Sequence, residues 1–182
     1  MSRTPNRRKQ ETHERIVDVA ARAIRRHGYA GVGVADVMKQ AGLTHGGFYA
    51  HFDSRDALLV EALERAGRES SEAVTRAFER RAAKSVSAFR ALVEAYLADE
   101  HLASLEAGCP VAALACDMPR QSDAVRKAPH ASCAAASVVA GTLVGTLQLA
   151  RAIGVNADGR AMLSTARKAL VQQYDTPRAA SG

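Results

Sequence analysis

Apolar residues recur at helical spacing in the segment that begins at Val34. Four of them stand at positions i, i+3, i+4 and i+7, namely Val34, Val37, Met38 and Ala41. They therefore lie on one side of an α-helix, which must pack against another element. A similar apolar stripe, including Ile16 and Ile24, predicts a longer helix from about Gln10 to His27 that ends at Gly28.

A tight turn and a second short helix follow Ala41. Gly42 tolerates the positive φ with which many helices end, and Thr44 is a good N-cap for the helix that comes next. The backbone N–H groups at the start of a presented helix can hold a phosphate. The stretch Val34–Phe52 therefore predicts a helix-turn-helix of the kind that binds DNA.

The rest of the chain also predicts helices. Asp53 is predicted to cap a helix that has Asp56 at its third position and continues to about Arg81. The later helices are predicted at about Val86–Leu105, from Pro110 towards Pro119, Ser122–Lys127, Ser132–Ile153 and Asp158–Gln173. Abundant alanine, sparse proline and few β-branched runs agree with this pattern. The predicted fold class is all-α, with about nine helices.

The positive charge is concentrated near the predicted helix-turn-helix. The 182-residue chain has a formal net charge of +6. Residues 1–55 contain ten basic and five acidic residues, a balance of +5, which leaves +1 for the remainder. Such a distribution is typical of a protein that binds nucleic acid. Arg25 and Arg26, late in the first long helix, are expected to be solvated rather than in contact with DNA.

Neither a signal peptide nor a membrane span is predicted, and a cytoplasmic location is expected. Met1–Lys9 is polar and basic, and no apolar segment follows it. The uncharged run Ser132–Ala150 is rich in small residues and is predicted to be a buried helix. Three cysteines do not suggest a disulfide framework. No residue pattern predicts a catalytic set, a metal ion or a cofactor.

Several motifs in this region resemble those of a known family. They are the His27–Tyr29 turn, Val34–Val37, Ala41–Thr44, Phe48–Phe52 and Ser54–Leu58. With them, Ile16–Leu59 resembles the DNA-binding domain of the TetR family of bacterial transcriptional regulators. The resemblance implies a DNA-binding domain with a basic N-terminal arm over residues 1–53, a helical effector-binding and dimerisation domain over 54–175, and a tail over 176–182.

The resemblance also implies the residues that contact DNA. Phosphate contacts are expected from Thr44, Tyr49, His51 and Arg55, where the family commonly has lysine in place of Arg55. His45 and Gly46 are expected nearest the base edges, and the small Gly46 and Gly47 suit a close approach of the backbone to DNA. Core packing is the alternative for the aromatic residues and is preferred for Phe48 and Phe52. His51 has the alternative of a helix cap or a surface histidine.

The later helices are expected to hold an effector and to form a homodimer. The candidate pocket lining is apolar and suggests a small hydrophobic effector, although each residue could equally be core: Phe89, Val93, Tyr96, Leu114 and Met118. The last two helices are the expected dimer interface, at Gly141, Val144, Gly145 and Gln148. Two glycines four residues apart allow close helix contact, within one chain or between two. Lys127–Ser137 departs from the long helix expected there.

Cys109 is a candidate thiol sensor. It precedes Pro110 and is predicted to be the N-cap of a helix, whose dipole favours the thiolate. An electrophilic effector is then an alternative to a hydrophobic one. Ordinary burial as a small apolar residue is the other interpretation, and it is preferred for Cys116 and Cys133.

These expectations together predict a regulator and not an enzyme. The predicted protein is a homodimeric repressor that binds a palindromic DNA operator and is released by a small-molecule or thiol-reactive effector. One alternative is an architectural DNA-binding protein without an effector. Another is a thiol-dependent enzyme, for which the sequence lacks a convincing histidine and aspartate set.

Overall fold

The computed structural model describes residues 5–84, 87–128 and 138–175, and these residues form a helical protein. They contain nine α-helices and no strand, in agreement with the predicted all-α class. The α-helices are α1 Pro5–His27, α2 Val34–Gln40, α3 Arg55–Ala82, α4 Ala88–Tyr96, α5 Asp99–Ala103, α6 Pro110–Leu114, α7 Asp123–Arg126, α8 Val138–Ile153 and α9 Ala157–Tyr174. Two 3₁₀ helices cover His45–Ala50 and Met118–Arg120.

The cap of α3 is Ser54, and the prediction of Asp53 was wrong. The Ser54 hydroxyl accepts a hydrogen bond from the amide of Ala57 at 3.1 Å. This bond satisfies one of the amides that the first turn of a helix leaves without an intrahelical partner. Asp56 lies in the first turn of α3, where its negative charge is favourable.

The helix predicted over 86–105 is divided into α4 and α5. Ala98 has an extended backbone, with φ −73° and ψ 150°, and it separates the two helices. Asp99 and Glu100 occupy the first turn of α5. Acidic residues favour the start of a helix, and they explain why a new helix begins there.

The chain divides into two compact units that differ from the predicted domains. The first unit comprises the described residues up to 69 together with 106–128. Its core includes Leu58 and Leu63 of α3 and also Leu114 and Val125, all nearly or fully buried. This unit extends beyond the boundary predicted after residue 53, because α6, α7 and the first half of α3 bury their apolar side chains in the same core as α1 and α2.

The second unit is built around the α8–α9 hairpin. It comprises the described residues of 70–105 together with 138–175. Gly154 ends α8 with φ +120°, and the amide of Gly159 donates to the Asn156 side chain at 3.0 Å to start α9. A Cβ at Gly159 would lie 2.1 Å from the Gly154 carbonyl oxygen, so the hairpin requires glycine there. Leu147 and Leu163 are fully buried in this unit.

One side of α8 is exposed, which corrects the prediction of a buried helix. Leu143, Leu147 and Ala150 are buried, whereas Val138 is 74% exposed and Leu149 is 59% exposed. The start predicted at Ser132 lies outside the described residues. No helix in the described part of the chain is long and apolar enough to cross a membrane.

Candidate nucleic-acid interface

The predicted turn between α2 and the following segment is confirmed. Val37 and Met38 of α2 are buried, and Gly42 has the left-handed φ of +73° that its position requires. The amide of Leu43 donates to the Met38 carbonyl at 2.9 Å and closes the helix end. Thr44 is then extended, with φ −81° and ψ 151°, and leads into the second element.

The second element, His45–Ala50, is a 3₁₀ helix rather than an α-helix. We call it the 45–50 segment. It begins with a bond from the Gly47 amide to the Thr44 carbonyl at 3.1 Å. Gly46 and Gly47 each disfavour an α-helix by about 1 kcal/mol relative to alanine, which explains the tighter and shorter element. Thr44 stands at the predicted N-cap, but its side chain makes no capping bond.

Two adjacent aromatic residues divide the 45–50 segment into a buried side and an exposed side. Phe48 is 1% exposed and stacks on the ring of Phe52 at a centroid distance of 5.5 Å. The core role preferred for both phenylalanines is thus confirmed. Tyr49 is 72% exposed. Its ring meets Phe48 edge-on, which leaves the phenol towards solvent.

The exposed side carries most of the residues predicted to touch DNA. Thr44, His45 and Gly46 are exposed together with Tyr49. A Cβ at Gly46 would meet open space, so the backbone there is uncovered. Gly47 is half-buried, and a Cβ there would make ordinary contact with Met38 Cε at 3.6 Å. We name the surface formed by Thr44, His45, Gly46 and Tyr49 the presented surface.

His51 lies at the edge of this surface in a cluster that sequence patterns did not reveal. Its Nδ1 is buried and has no hydrogen-bond partner among the described residues. Burial, and then the nearby His13 and Lys9, lower the pKa of His51 below its usual value. The His13 ring lies 5.9 Å from the His51 ring, and its Nε2 is 2.7 Å from a carboxylate oxygen of Glu61. His13 and Glu61 are 48 residues apart in the chain, so only the packing of α1 on α3 brings them together.

Arg55 faces inward, towards the connection between α1 and α2. Its Nε donates to the Val32 carbonyl at 3.1 Å, and its Nη2 donates to the Tyr29 carbonyl. The side chain that was predicted to contact a phosphate is thus hydrogen-bonded to backbone of its own chain.

Part of the basic charge of residues 1–55 is neutralised by ion pairs within the chain. Arg25 is 5% exposed, and its Nη2 lies 2.6 Å from a carboxylate oxygen of Glu69. The prediction that Arg25 is solvated was therefore wrong. The half-exposed side chain of Arg26 forms an ion pair with Glu106, which lowers the pKa of that carboxyl. The surplus counted from the sequence overstates the charge that is free to meet DNA.

The five candidate pocket residues are divided between the two units. Leu114 is buried in the core of the first unit, and Met118 packs against that core and accepts a hydrogen bond from the Tyr29 hydroxyl at 3.3 Å. Burial, and then Asp117, raise the pKa of Tyr29 to about 12. In the second unit, Val93 is fully buried, whereas the two aromatic candidates, Phe89 and Tyr96, are half-buried. The Phe89 ring lies 6.1 Å from that of Tyr174, and the Tyr96 ring lies 4.9 Å from that of His101.

Cys109 is the N-cap of α6, as predicted, with Pro110 at the first position of the helix. Cys109 is half-buried and Cys116 is exposed, so burial was the wrong interpretation for Cys116. The prediction for Cys133 falls outside the described residues.

The predicted dimer residues all lie on α8. Gly141 is exposed, whereas Val144, Gly145 and Gln148 are half-buried. Among the residues that the structure describes, none would lie within 4 Å of a Cβ added at Gly141 or at Gly145. Packing against the described residues therefore does not require either glycine.

The fold and the presented surface define the class of this protein, an all-α helix-turn-helix protein. Residues 16–62 match the family model described as bacterial regulatory proteins, tetR family. The chain is 30% identical over 128 residues to an uncharacterised HTH-type transcriptional regulator of Mycobacterium tuberculosis, an alignment that covers 70% of this chain and 63% of that protein. Over residues 16–62 the chain is thus similar to the DNA-binding domain of the TetR family.

Other relatives match the same region or the same fold. The HTH-type transcriptional regulator TtgR of Pseudomonas putida is 37% identical over 79 residues, which cover 43% of this chain and 37% of that protein. A TetR transcriptional regulator from Chloroflexus aurantiacus has a similar structure, with a TM-score of 0.66 and 21% identity over 93% of this chain and 97% of that one. This last likeness extends the shared fold beyond the helix-turn-helix.

Proposed function

We propose that this protein is a transcriptional repressor that binds a palindromic DNA operator as a homodimer. The observation that carries the proposal is the exposure of the presented surface. Phe48, on the opposite side of the 45–50 segment, is buried in the core and holds the segment in place. The relatives named as transcriptional regulators support it. We assign phosphate contacts to Thr44, Tyr49 and His51, and base contacts to His45 with the backbone of Gly46 and Gly47.

The glycines at positions 46 and 47 limit how many bases the protein can distinguish with side chains. Glycine lets the backbone approach a groove closely but carries no side chain that could distinguish bases. His45 is then the main exposed side chain for base reading, whereas the Tyr49 hydroxyl and the His51 ring suit phosphate oxygens. We expect an operator in which few base pairs per half-site are strongly specified.

The homodimer is supported by the exposed side of α8. Val138, Leu149 and Ile153 are exposed apolar residues of this helix, and Gly141 lies among them. An exposed apolar helix face typically marks a protein contact. A symmetric pair of subunits would place two presented surfaces on one duplex, and a palindrome matches that symmetry.

Selection from random duplexes tests the operator proposal. Wild-type protein should enrich a two-fold symmetric sequence, and Tyr49→Ala should enrich it poorly. Leu92→Ala, at an exposed position of α4 in the second unit, is the matched control and should behave as the wild type. Enrichment of a single asymmetric site would contradict the dimer, and binding without any enrichment would favour an architectural protein.

We also propose that an effector releases the protein from DNA. The coupling requires an effector that binds the DNA-free conformation more tightly, by a few kcal/mol. A small hydrophobic ligand would bind near Phe89, Val93 and Tyr96 in the second unit, since Leu114 and Met118 serve the core of the first. Alternatively, an electrophile would react with the half-buried Cys109.

A thiol reagent distinguishes these two kinds of effector. If Cys109 is the sensor, an alkylating agent should release the operator from wild-type protein and from Cys116→Ser, but not from Cys109→Ser. Release that persists in Cys109→Ser excludes that sensor role. Thiol-dependent turnover of a substrate without any DNA binding would instead support the enzyme alternative.

A further inference from the structure

The guanidinium of Arg55 binds both ends of one turn. Tyr29–Val32 is a four-residue turn within the connection between α1 and α2, and Arg55 donates to the carbonyls of its first and last residues. The donors are Nε and Nη2, which lie on the same edge of the guanidinium and form the fork that suits bidentate contacts. That edge cannot bind a phosphate while it binds the turn.

The turn depends on this contact because its own hydrogen bond is long. The amide of Val32 lies 3.5 Å from the Tyr29 carbonyl oxygen, at the outer limit for a useful hydrogen bond. Val32 is 1% exposed, so a carbonyl there that lost its donor would be costly to leave unsatisfied. On its other side the turn lies directly on α1, since a Cβ at Gly31 would lie 2.4 Å from His27 Cβ.

The start of α2 follows directly from this turn. Gly33 is the N-cap of α2 and offers no side-chain capping bond. Met38, one turn further on, is fully buried next to the 45–50 segment, because a Cβ added at Gly47 would lie 3.6 Å from Met38 Cε. A displaced turn would therefore move α2 and, through Met38, the presented surface.

The location of Arg55 in α3 is a second sign that it is held by tertiary contacts. It is the first residue of α3, where the helix dipole disfavours a positive charge. The two carbonyl oxygens of the turn offset this penalty. Lysine would offer a single ammonium in place of the two-donor edge.

From these contacts we infer that Arg55 is a positioning residue for DNA binding, which holds the Tyr29–Val32 turn and thereby orients α2 instead of contacting a phosphate. The inference rests on the DNA binding proposed above. It separates Arg55 from Thr44, Tyr49 and His51, whose proposed contacts are direct.

Hydrogen exchange in the DNA-free protein tests the contact without depending on any operator. The variants are Arg55→Met, Arg55→Lys and Arg68→Met, where Arg68 is an exposed arginine of the same helix that controls for the lost charge. Amides of residues 32–40 should exchange at least about tenfold faster in Arg55→Met, since a buried bond to a charged donor is lost. Arg55→Lys should lie between, and Arg68→Met should match the wild type.

Salt titration of DNA binding then distinguishes positioning from phosphate contact. The probe is the selected palindrome, or a random-sequence duplex if none is enriched. Arg55→Met should weaken binding about tenfold at every salt concentration, with the same slope of log K against log salt as Arg68→Met. If Arg55→Met fails to fold, Arg55→Gln, which is also uncharged but keeps a hydrogen-bond donor, carries both measurements.

Two results would overturn the inference. One is a slope smaller by about 0.9 in Arg55→Met than in Arg68→Met, which is the signature of one lost phosphate contact. The other is unchanged exchange over residues 32–40. If the wild type binds no duplex at all, the proposed function fails and the DNA-binding role of Arg55 fails with it, while the exchange rates still decide whether Arg55 holds the turn.

Discussion

At the scale of single residues, neighbours in this chain have opposite roles. Phe48 and Tyr49 are consecutive and chemically similar, yet one is 1% exposed and the other 72% exposed. The difference follows from the 45–50 segment, which turns one ring into the core and the other towards solvent. Stability and DNA binding should therefore separate cleanly between these two positions.

Truncation of each ring tests that separation. Phe48→Ala should lower the free energy of unfolding by about 3–5 kcal/mol, because it leaves a cavity in the core. Tyr49→Ala should change it by less than about 0.5 kcal/mol, as expected at an exposed position, yet weaken DNA binding about tenfold through the lost phosphate bond. Urea denaturation and a fluorescence binding titration measure the two quantities. Equal stability losses would contradict the division.

Two half-buried histidines predict that the fold weakens in mild acid. Burial is the main reason why the pKa values of His51 and His101 lie below the usual 6.5. As the pH falls, the unfolded chain then takes up protons before the folded one does. The contribution of the two histidines to the free energy of unfolding is therefore complete above about pH 6.5 and is lost as the pH drops below it. The lowered pKa of Glu106 acts only further down, below its ordinary 4.5.

Denaturation midpoints at pH 7.5 and pH 5.5 measure this effect. The wild type should have the lower midpoint at pH 5.5, and His101→Gln should show a smaller difference between the two values. His45→Gln is the control, because His45 is exposed and its removal should leave the difference unchanged. A midpoint that rises in acid would refute the prediction.

At the scale of elements, glycines decide which contacts are possible. Gly46 and Gly47 shorten the second element of the helix-turn-helix, and Gly159 lets α9 start directly against the end of α8. By contrast, no residue in the described part of the chain would lie within 4 Å of a Cβ at Gly141 or Gly145. The α8–α9 hairpin thus needs one specific glycine and leaves two others available for a contact between subunits.

Alanine substitutions distinguish these glycines. Gly159→Ala should destabilise the protein by at least about 1–3 kcal/mol, because its Cβ would lie 2.1 Å from a backbone oxygen. Gly141→Ala should stabilise an isolated chain by about 0.5–1 kcal/mol, since alanine favours helix. Thermal unfolding at low protein concentration gives both values, and a stabilised Gly159→Ala would show that the hairpin is differently built.

At the scale of the whole molecule, the exposed side of α8 is the feature that a single chain leaves unexplained. Val138, Leu149 and Ile153 of this helix are all exposed, at 74%, 59% and 44%. A second copy of the chain would cover them. A dimer formed in this way would carry two presented surfaces, one on each subunit.

A charge placed on α8 tests the dimer. Leu149→Arg should yield monomers in sedimentation velocity, because an arginine buried in an apolar interface lacks a partner. The variant should also lose most of its preference for a palindrome over a half-site. Leu92→Arg, on an exposed leucine of α4, should remain a dimer. A dimeric Leu149→Arg would move the interface away from this part of α8.

Local patterns in the sequence were sufficient for the helical class and for the helix-turn-helix. The apolar spacing of α2, the left-handed Gly42, the core role of Phe48 and the Cys109 cap depend on neighbouring residues, and the structure confirms them. Helical periodicity and turn chemistry act over a few residues, so they can be interpreted without knowledge of the fold.

Tertiary structure alone decided the partners of long side chains and the extent of each unit. Arg25 was expected in solvent but pairs with Glu69, Arg55 binds the Tyr29–Val32 turn, and His13 meets Glu61. Leu114 belongs to the core of the first unit, although in the chain it comes after α4 and α5 of the second unit. These contacts join residues that are 23 or more positions apart, and no periodic pattern records such distances. Flexible charged side chains can reach several partners, and only the packing of α1, α3 and α6 selects one.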